Sequence, residues 1–193
     1  IDNDTVALTN LNRQIIATLD TVGQPKVEVM AKRIASINPD ANVNCRQCFF
    51  LPANQHEFDF SQYDYVVDAV DTVAAKIAIV LAAKAAGVPA ISSMGAGNKV
   101  NPAMFEVADI YKTKVDPLAR VMRQAMKKNN IKKLKVVYSQ ELPLLPINEE
   151  IESECHAETS KRRALPGSNA FTPSVAGLII ASEVIKDLVG WDD

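Results

Sequence analysis

The spacing of apolar positions changes several times along the chain, and each change marks an element. Across residues 25–37 the apolar side chains recur at helical intervals, with Val27, Met30, Ala31, Ile34 and Ile37 on one stripe. Pro25 suits the first turn of that helix, where a missing N–H loses no partner. Asn38-Pro39 ends it. Residues 43–50 read as a strand, and residues 1–6 as the end of an earlier strand followed by a turn. Residues 63–69 read as an apolar strand of the kind buried in a parallel sheet. The alanine-rich residues 72–86 predict a helix closed by Gly87. Residues 88–92 predict another strand, running into a glycine-rich turn, Gly95-Ala-Gly97. This alternation predicts an α/β fold: a doubly wound, Rossmann-like, mostly parallel sheet with helices on both faces.

Beyond Gly97 the pattern loosens. Residues 101–110 predict extended chain, 117–129 a basic helix, 133–139 a strand and 174–189 a final apolar helix. Residues 142–164 are polar and proline-containing and read as a mobile loop. There is no internal repeat, and 193 residues suit one domain with a substantial core. No run reaches the roughly 18 apolar residues of a membrane span, and no signal peptide is visible. The chain opens on Ile1-Asp2, without a methionine and in a segment that reads as a strand, so it reads as an N-terminally truncated domain. Three cysteines give no even disulfide set, which fits a reducing, cytoplasmic setting.

The net charge of −2 hides an uneven distribution. Residues 111–135 hold nine basic side chains: Lys112, Lys114, Arg120, Arg123, Lys127, Lys128, Lys132, Lys133 and Lys135. They hold one acid, Asp116. Lys161, Arg162 and Arg163 add a second basic cluster. A basic insert on an acidic body is either a site for an anionic partner or a solvated helix face.

Candidate chemistry gathers at the strand ends, where sheets of this type bind ligands. Arg13 and Lys26 flank a turn and a helix start, and a polyphosphate there would meet both cations. Taken singly, each also reads as an exposed surface cation. Asp2 ends a strand, a position suited to ribose hydroxyls, or else it forms a turn. Asp71 follows an apolar strand and can ligate Mg2+, a hard ion that prefers oxygen, or cap the next helix. Cys45-Arg-Gln-Cys48 supplies half of a zinc site, without the second pair that tetrahedral coordination needs. Cys155, near the cations at 161–163, is a candidate nucleophile or an incidental thiol.

Four blocks, Asp2-Asn-Asp-Thr-Val, Asn10-Leu-Asn-Arg-Gln14, Gly23-Gln-Pro-Lys26 and Asp68-Ala-Val-Asp71, together resemble the adenylating family of ubiquitin-activating enzymes. That family includes bacterial relatives serving molybdopterin and thiamine synthesis. Gly95-Ala-Gly97, Phe105-Glu-Val-Ala-Asp-Ile110, Val115-Asp-Pro-Leu-Ala-Arg120, Leu134-Lys-Val-Val-Tyr-Ser139 and Pro166-Gly-Ser-Asn-Ala-Phe171 are similar to its tRNA threonylcarbamoyladenosine dehydratase branch. The resemblance spans nearly the whole chain and implies one adenylation domain over residues 1–193.

What the resemblance implies is ATP-dependent adenylation of the threonyl carboxylate of N6-threonylcarbamoyladenosine in tRNA, then cyclisation. Asp2 would bind ribose. Asn10, Arg13 and Lys26 would bind the triphosphate with Gln14 close by, and Asp71 would bind Mg2+. Arg13, Lys26 and Asp71 would carry catalysis, and the basic residues would hold tRNA. The resemblance further implies a homodimer and a glycine-rich loop before the strand ending at Asp2, which this chain does not contain. An alternative within the family is activation of a ubiquitin-like or sulfur-carrier protein. A nicotinamide-dependent oxidoreductase is a poorer match, because Gly95-Ala-Gly97 does not open a strand–helix–strand unit. A non-catalytic tRNA-binding module is the fourth reading.

Overall fold

The computed structural model describes residues 1–144 and 167–191. Four helices and four strands form its frame: α1 (Lys26–Ile37), β1 (Val66–Asp68), α2 (Val73–Ala85), β2 (Ala90–Ser93), β3 (Phe105–Asp109), α3 (Pro117–Lys128), β4 (Lys135–Ser139) and α4 (Thr172–Val189). The strands make one sheet in the order β1-β2-β4-β3. β1, β2 and β4 run parallel, and β3 lies antiparallel to β4 at the far edge.

β4 shows why the sheet needs helices on both sides. Val136 and Tyr138 point into a core with Met122 and Met126 of α3 and Val80 of α2. Val137, one residue out of phase, meets Ala176 and Ile180 of α4 on the opposite face. The four residues 136–139 are all buried. The doubly wound α/β expectation therefore holds. On the outer side of β4, burial works against the charge of Lys135, but hydrogen bonds to Asp187 and Glu183 outweigh it and raise its pKa. The same bond from Lys135, then one from the Tyr65 hydroxyl, holds the Asp187 carboxyl below its usual range. This cluster ties α4 to the sheet.

Several sequence expectations are corrected. Residues 43–50 form no strand, because no ladder partner lies beside them; one backbone bond, Asp2 N to Arg46 O at 3.2 Å, is their link to the N-terminus. Residues 1–6 contribute a single bridge, Thr5 to Pro25. The strand expected at 63–69 shortens to Val66–Asp68 and is not apolar on both faces. It is an edge strand with Val67 48% exposed, while the buried positions are Val66 and the charged Asp68. The stripe of α1 is also uncovered at Met30 and Ile37, because α1 packs through Val29 on a small cluster with Val6, Ile16 and Ala17. The extended chain expected at 101–110 begins as a helical turn, Pro102–Met104.

Candidate active site

β1 and β2 end side by side, and their loops open into a cavity of about 720 Å³. Residues 69–71 form one wall and residues 93–99 another. The N-terminal turns of α3 and α4 supply Pro117, Leu118, Pro173 and Gly177. Arg13, from the N-terminal turn, also lines it. A crevice beyond the carboxyl ends of parallel strands is where α/β sheets hold their ligands.

Of the three residues expected to carry catalysis, Arg13 and Asp71 line this one cavity. Arg13 is held by its own loop: Nη1 donates to Thr9 O and Asn12 Oδ1, both at 2.9 Å. Asn12 in turn donates to Ser168 O at 3.1 Å, which joins the N-terminal turn to the segment before α4. Asp71 sits one residue before Thr72, the N-cap of α2, and that cap makes no side-chain hydrogen bond. The carboxylate of Asp71 is exposed and is bonded to none of the described residues. It is therefore available to a ligand.

The other candidates occupy different places. Lys26 does not line the cavity; its ammonium pairs with Asp4 at 2.8 Å. Asp2 accepts from the Asp4 N–H at 2.9 Å, which makes the turn that its sequence position allows. Asn10 is buried, and its carboxamide oxygen accepts from the Ala7 N–H at 3.0 Å, closing a helical turn. Gln14 is half-exposed on the same loop.

Of the basic insert, Lys112, Lys114, Arg120, Lys127 and Lys128 are exposed. Arg123 is not: its Nη1 donates to Thr113 O at 2.7 Å and to Thr113 Oγ1 at 2.6 Å, so it braces the entry to α3. Cys45 and Cys48 are free thiols, and no metal-binding cluster exists among the described residues. Cys155, Lys161, Arg162, Arg163 and most of the loop expected at 142–164 lie outside the described residues.

Two buried ion pairs, one behind the cavity lining and one within it, were not read from the sequence. Lys76 and Asp68 pair at 2.9 Å with no side-chain exposure. Lys99 and Asp116 pair at 2.9 Å with 1% exposure each. Lys99 also donates to Gly95 O at 2.8 Å, and Asp116 caps α3 by accepting from Ala119 N. For Lys76 a signal was present: it shares a stripe with Ile79, Val80 and Ala83, a lysine where the helical period demands an apolar residue. Lys99 lies in a short polar turn and carried no such signal.

The sheet, its two helical layers and the crevice at its strand ends place the molecule among the α/β proteins that bind ligands at that edge. More narrowly, the model of the ThiF family matches residues 1–193, and the chain belongs to that family. A tRNA threonylcarbamoyladenosine dehydratase of Bacillus subtilis (strain 168) is 44% identical over 193 residues, which cover 98% of this chain and 76% of that protein. A crystal structure of the E. coli tRNA N6-threonylcarbamoyladenosine dehydratase in complex with AMP superposes with a TM-score of 0.83 at 30% identity, covering 98% of this chain and 74% of that one. The ATP complex of the E. coli enzyme gives a TM-score of 0.77 at 30% identity, over 99% of this chain and 76% of that one. The resemblance carried by the sequence blocks is thereby upheld.

Proposed function

We propose that the protein uses ATP to adenylate the threonyl carboxylate of N6-threonylcarbamoyladenosine in tRNA and then closes it into the cyclic form. The observation that supports this most is the shared cavity of Arg13 and Asp71, in a chain so similar to dehydratases of that name.

The chemistry follows from what a carboxylate lacks. It is a poor electrophile, because its leaving group would be oxide. Its oxygen attacks the α-phosphorus of ATP, pyrophosphate departs, and a mixed anhydride forms. A nitrogen or oxygen of the neighbouring carbamoyl group then attacks the acyl carbon and expels AMP. The attack is intramolecular, so proximity lowers the barrier. The nucleoside loses the elements of water, its carboxylate oxygen leaving on AMP, while ATP is converted to AMP and pyrophosphate.

Arg13 supplies fixed positive charge where the phosphorane charge develops, and its loop bonds hold it there before ligand arrives. Asp71 fits a magnesium ion: an exposed, uncommitted carboxylate on the cavity wall is the hard oxygen donor that ion takes. Magnesium bound there would screen phosphate charge. Lys26 joins the site by exchanging Asp4 for a phosphate. Its present ion pair is with a carboxylate that is 55% exposed, and such pairs are worth about 0–1 kcal/mol. The exposed lysines of α3 serve as tRNA phosphate contacts. The protein acts in the cytoplasm as a homodimer.

ATP–pyrophosphate exchange tests the proposal. The full-length protein is assayed with threonylcarbamoyladenosine-modified tRNA, with a ubiquitin-like carrier protein, and with neither. Exchange that depends on the modified tRNA is the expected result. Exchange driven by the carrier protein would replace this substrate with the other.

A further inference from the structure

We propose that Lys76 is a positioning residue of this cavity: its ammonium is the common anchor of both strand-end loops and fixes where Asp71 stands. The proposal rests on the proposed function for the role of Asp71.

Lys76 projects from the second turn of α2 under the ends of β1 and β2. Its ammonium donates to Val70 O at 3.2 Å and to Ser93 O at 2.8 Å, and it pairs with Asp68 at 2.9 Å. Those contacts use the three N–H donors of an ammonium group. The first acceptor belongs to the peptide unit that immediately precedes Asp71. The second belongs to the unit between Ser93 and Met94, whose N–H already donates to Val137 O at 2.8 Å. One side chain thus holds a backbone carbonyl in each of the two cavity walls.

Asp68 completes the clamp. It accepts the Val70 N–H at 3.3 Å and the Ser92 hydroxyl at 2.5 Å, so the carboxylate also spans the two strands. Both charged partners are fully buried. Stability alone gives no reason for this choice. Desolvating two ions costs several kcal/mol each, and an apolar pair of equal volume is often as stable or more so. What an apolar pair cannot do is bind, at one point, a carbonyl of the loop after β1 and one at the end of β2. The loops carry Asp71 on one side and Gly95 on the other, so their separation sets the width of the cavity floor.

The test compares Lys76→Met with the double variant Asp68→Asn/Lys76→Met in the full-length protein. The single change leaves Asp68 uncompensated and can unfold the chain. The double change removes both charges while keeping volume and the acceptor for Val70 N–H. In the double variant the expected results are a retained fold and amide exchange about tenfold faster at residues 71–72 and 94–97, with the interior of α2 unchanged. In ATP–pyrophosphate exchange, kcat should fall by about a hundredfold and half-saturating Mg2+ should rise, while KM for ATP moves about twofold or less. A folded double variant with unchanged loop protection and unchanged Mg2+ dependence would overturn the proposal. So would loss of the fold in the double variant, which would make the pair structural. If the parent protein shows no exchange with any substrate, the proposed function fails, and amide exchange alone decides whether Lys76 anchors the loops.

Discussion

Among single residues, Arg13 and Asp71 carry little of the fold. Arg13 bonds only to its own loop, and Asp71 bonds to none of the described residues. Replacing either by Ala should therefore leave the unfolding midpoint nearly unchanged and slow ATP–pyrophosphate exchange by about a thousandfold or more. Circular dichroism melting and the exchange assay, run on the same samples, check both halves. Asn10 is the contrast. Its carboxamide closes a turn from a buried position, so Asn10→Ala should lower stability as well as activity. The sequence marked Arg13, Lys26 and Asp71 through their combination, two cations around one turn and helix start with a carboxylate after an apolar strand, since each alone has an ordinary reading. It could not separate Arg13 from Lys26, since whether Asp4 captures Lys26 depends on the fold of a turn 22 residues away.

Elements behave according to what lies against them. α3 is legible in sequence because its two faces differ so sharply: Ala119, Met122 and Met126 face the core, while Arg120, Lys127 and Lys128 face solvent. The expected polyanion contact belongs to that outer face. Lys127→Glu with Lys128→Glu should weaken tRNA binding and lower the slope of log affinity against log salt by about 2, measured by filter binding across salt concentrations. An unchanged slope would return the helix to a solvated surface. β1 was harder to read. Its length and exposure depend on which strand stands beside it, and an apolar run carries no record of its neighbours. The direction of β3 was hidden for the same reason, because the two-residue period of a strand is identical in parallel and antiparallel pairing.

α4 is held by a charge cluster as well as by packing, and this makes a pH prediction. The Asp187 carboxyl is depressed, so its contribution is present above the unfolded value near pH 4 and is lost as pH falls through the lower folded value. The Lys135 ammonium is raised, so its contribution is complete below the unfolded value, about 10.4, and is lost as pH rises through the folded one. Lys135→Met should lower the melting temperature by about 3 °C near neutral pH. The gap between parent and variant should stay flat from about pH 5 to pH 10 and close in acid as Asp187 protonates.

For the whole molecule, the proposed function divides between an edge and a face. The cavity lies at the carboxyl ends of the strands, and α3 begins on its wall and carries positive charge away from it. Twelve residues of helix span about 18 Å, so Lys127 and Lys128 stand roughly that far from the cavity wall. That separation suits a long polyanion whose reacting nucleotide enters the cavity while its backbone crosses the helix. The parallel sheet and helical layers were legible because buried periodicity repeats along them. The two ion pairs around the cavity were not, because they join residues 8 and 17 positions apart through tertiary contact alone.

Asp116 performs two tasks with two oxygens, and this narrows what evolution can place there. Oδ1 starts α3 through Ala119 N, and Oδ2 neutralises Lys99. Serine would begin the helix yet strand a buried cation. Glutamate would balance the charge, but its extra methylene displaces the helix start. Asparagine keeps both geometries and forfeits the charge. No single replacement meets both demands, so drift at this position requires a matched change at Lys99.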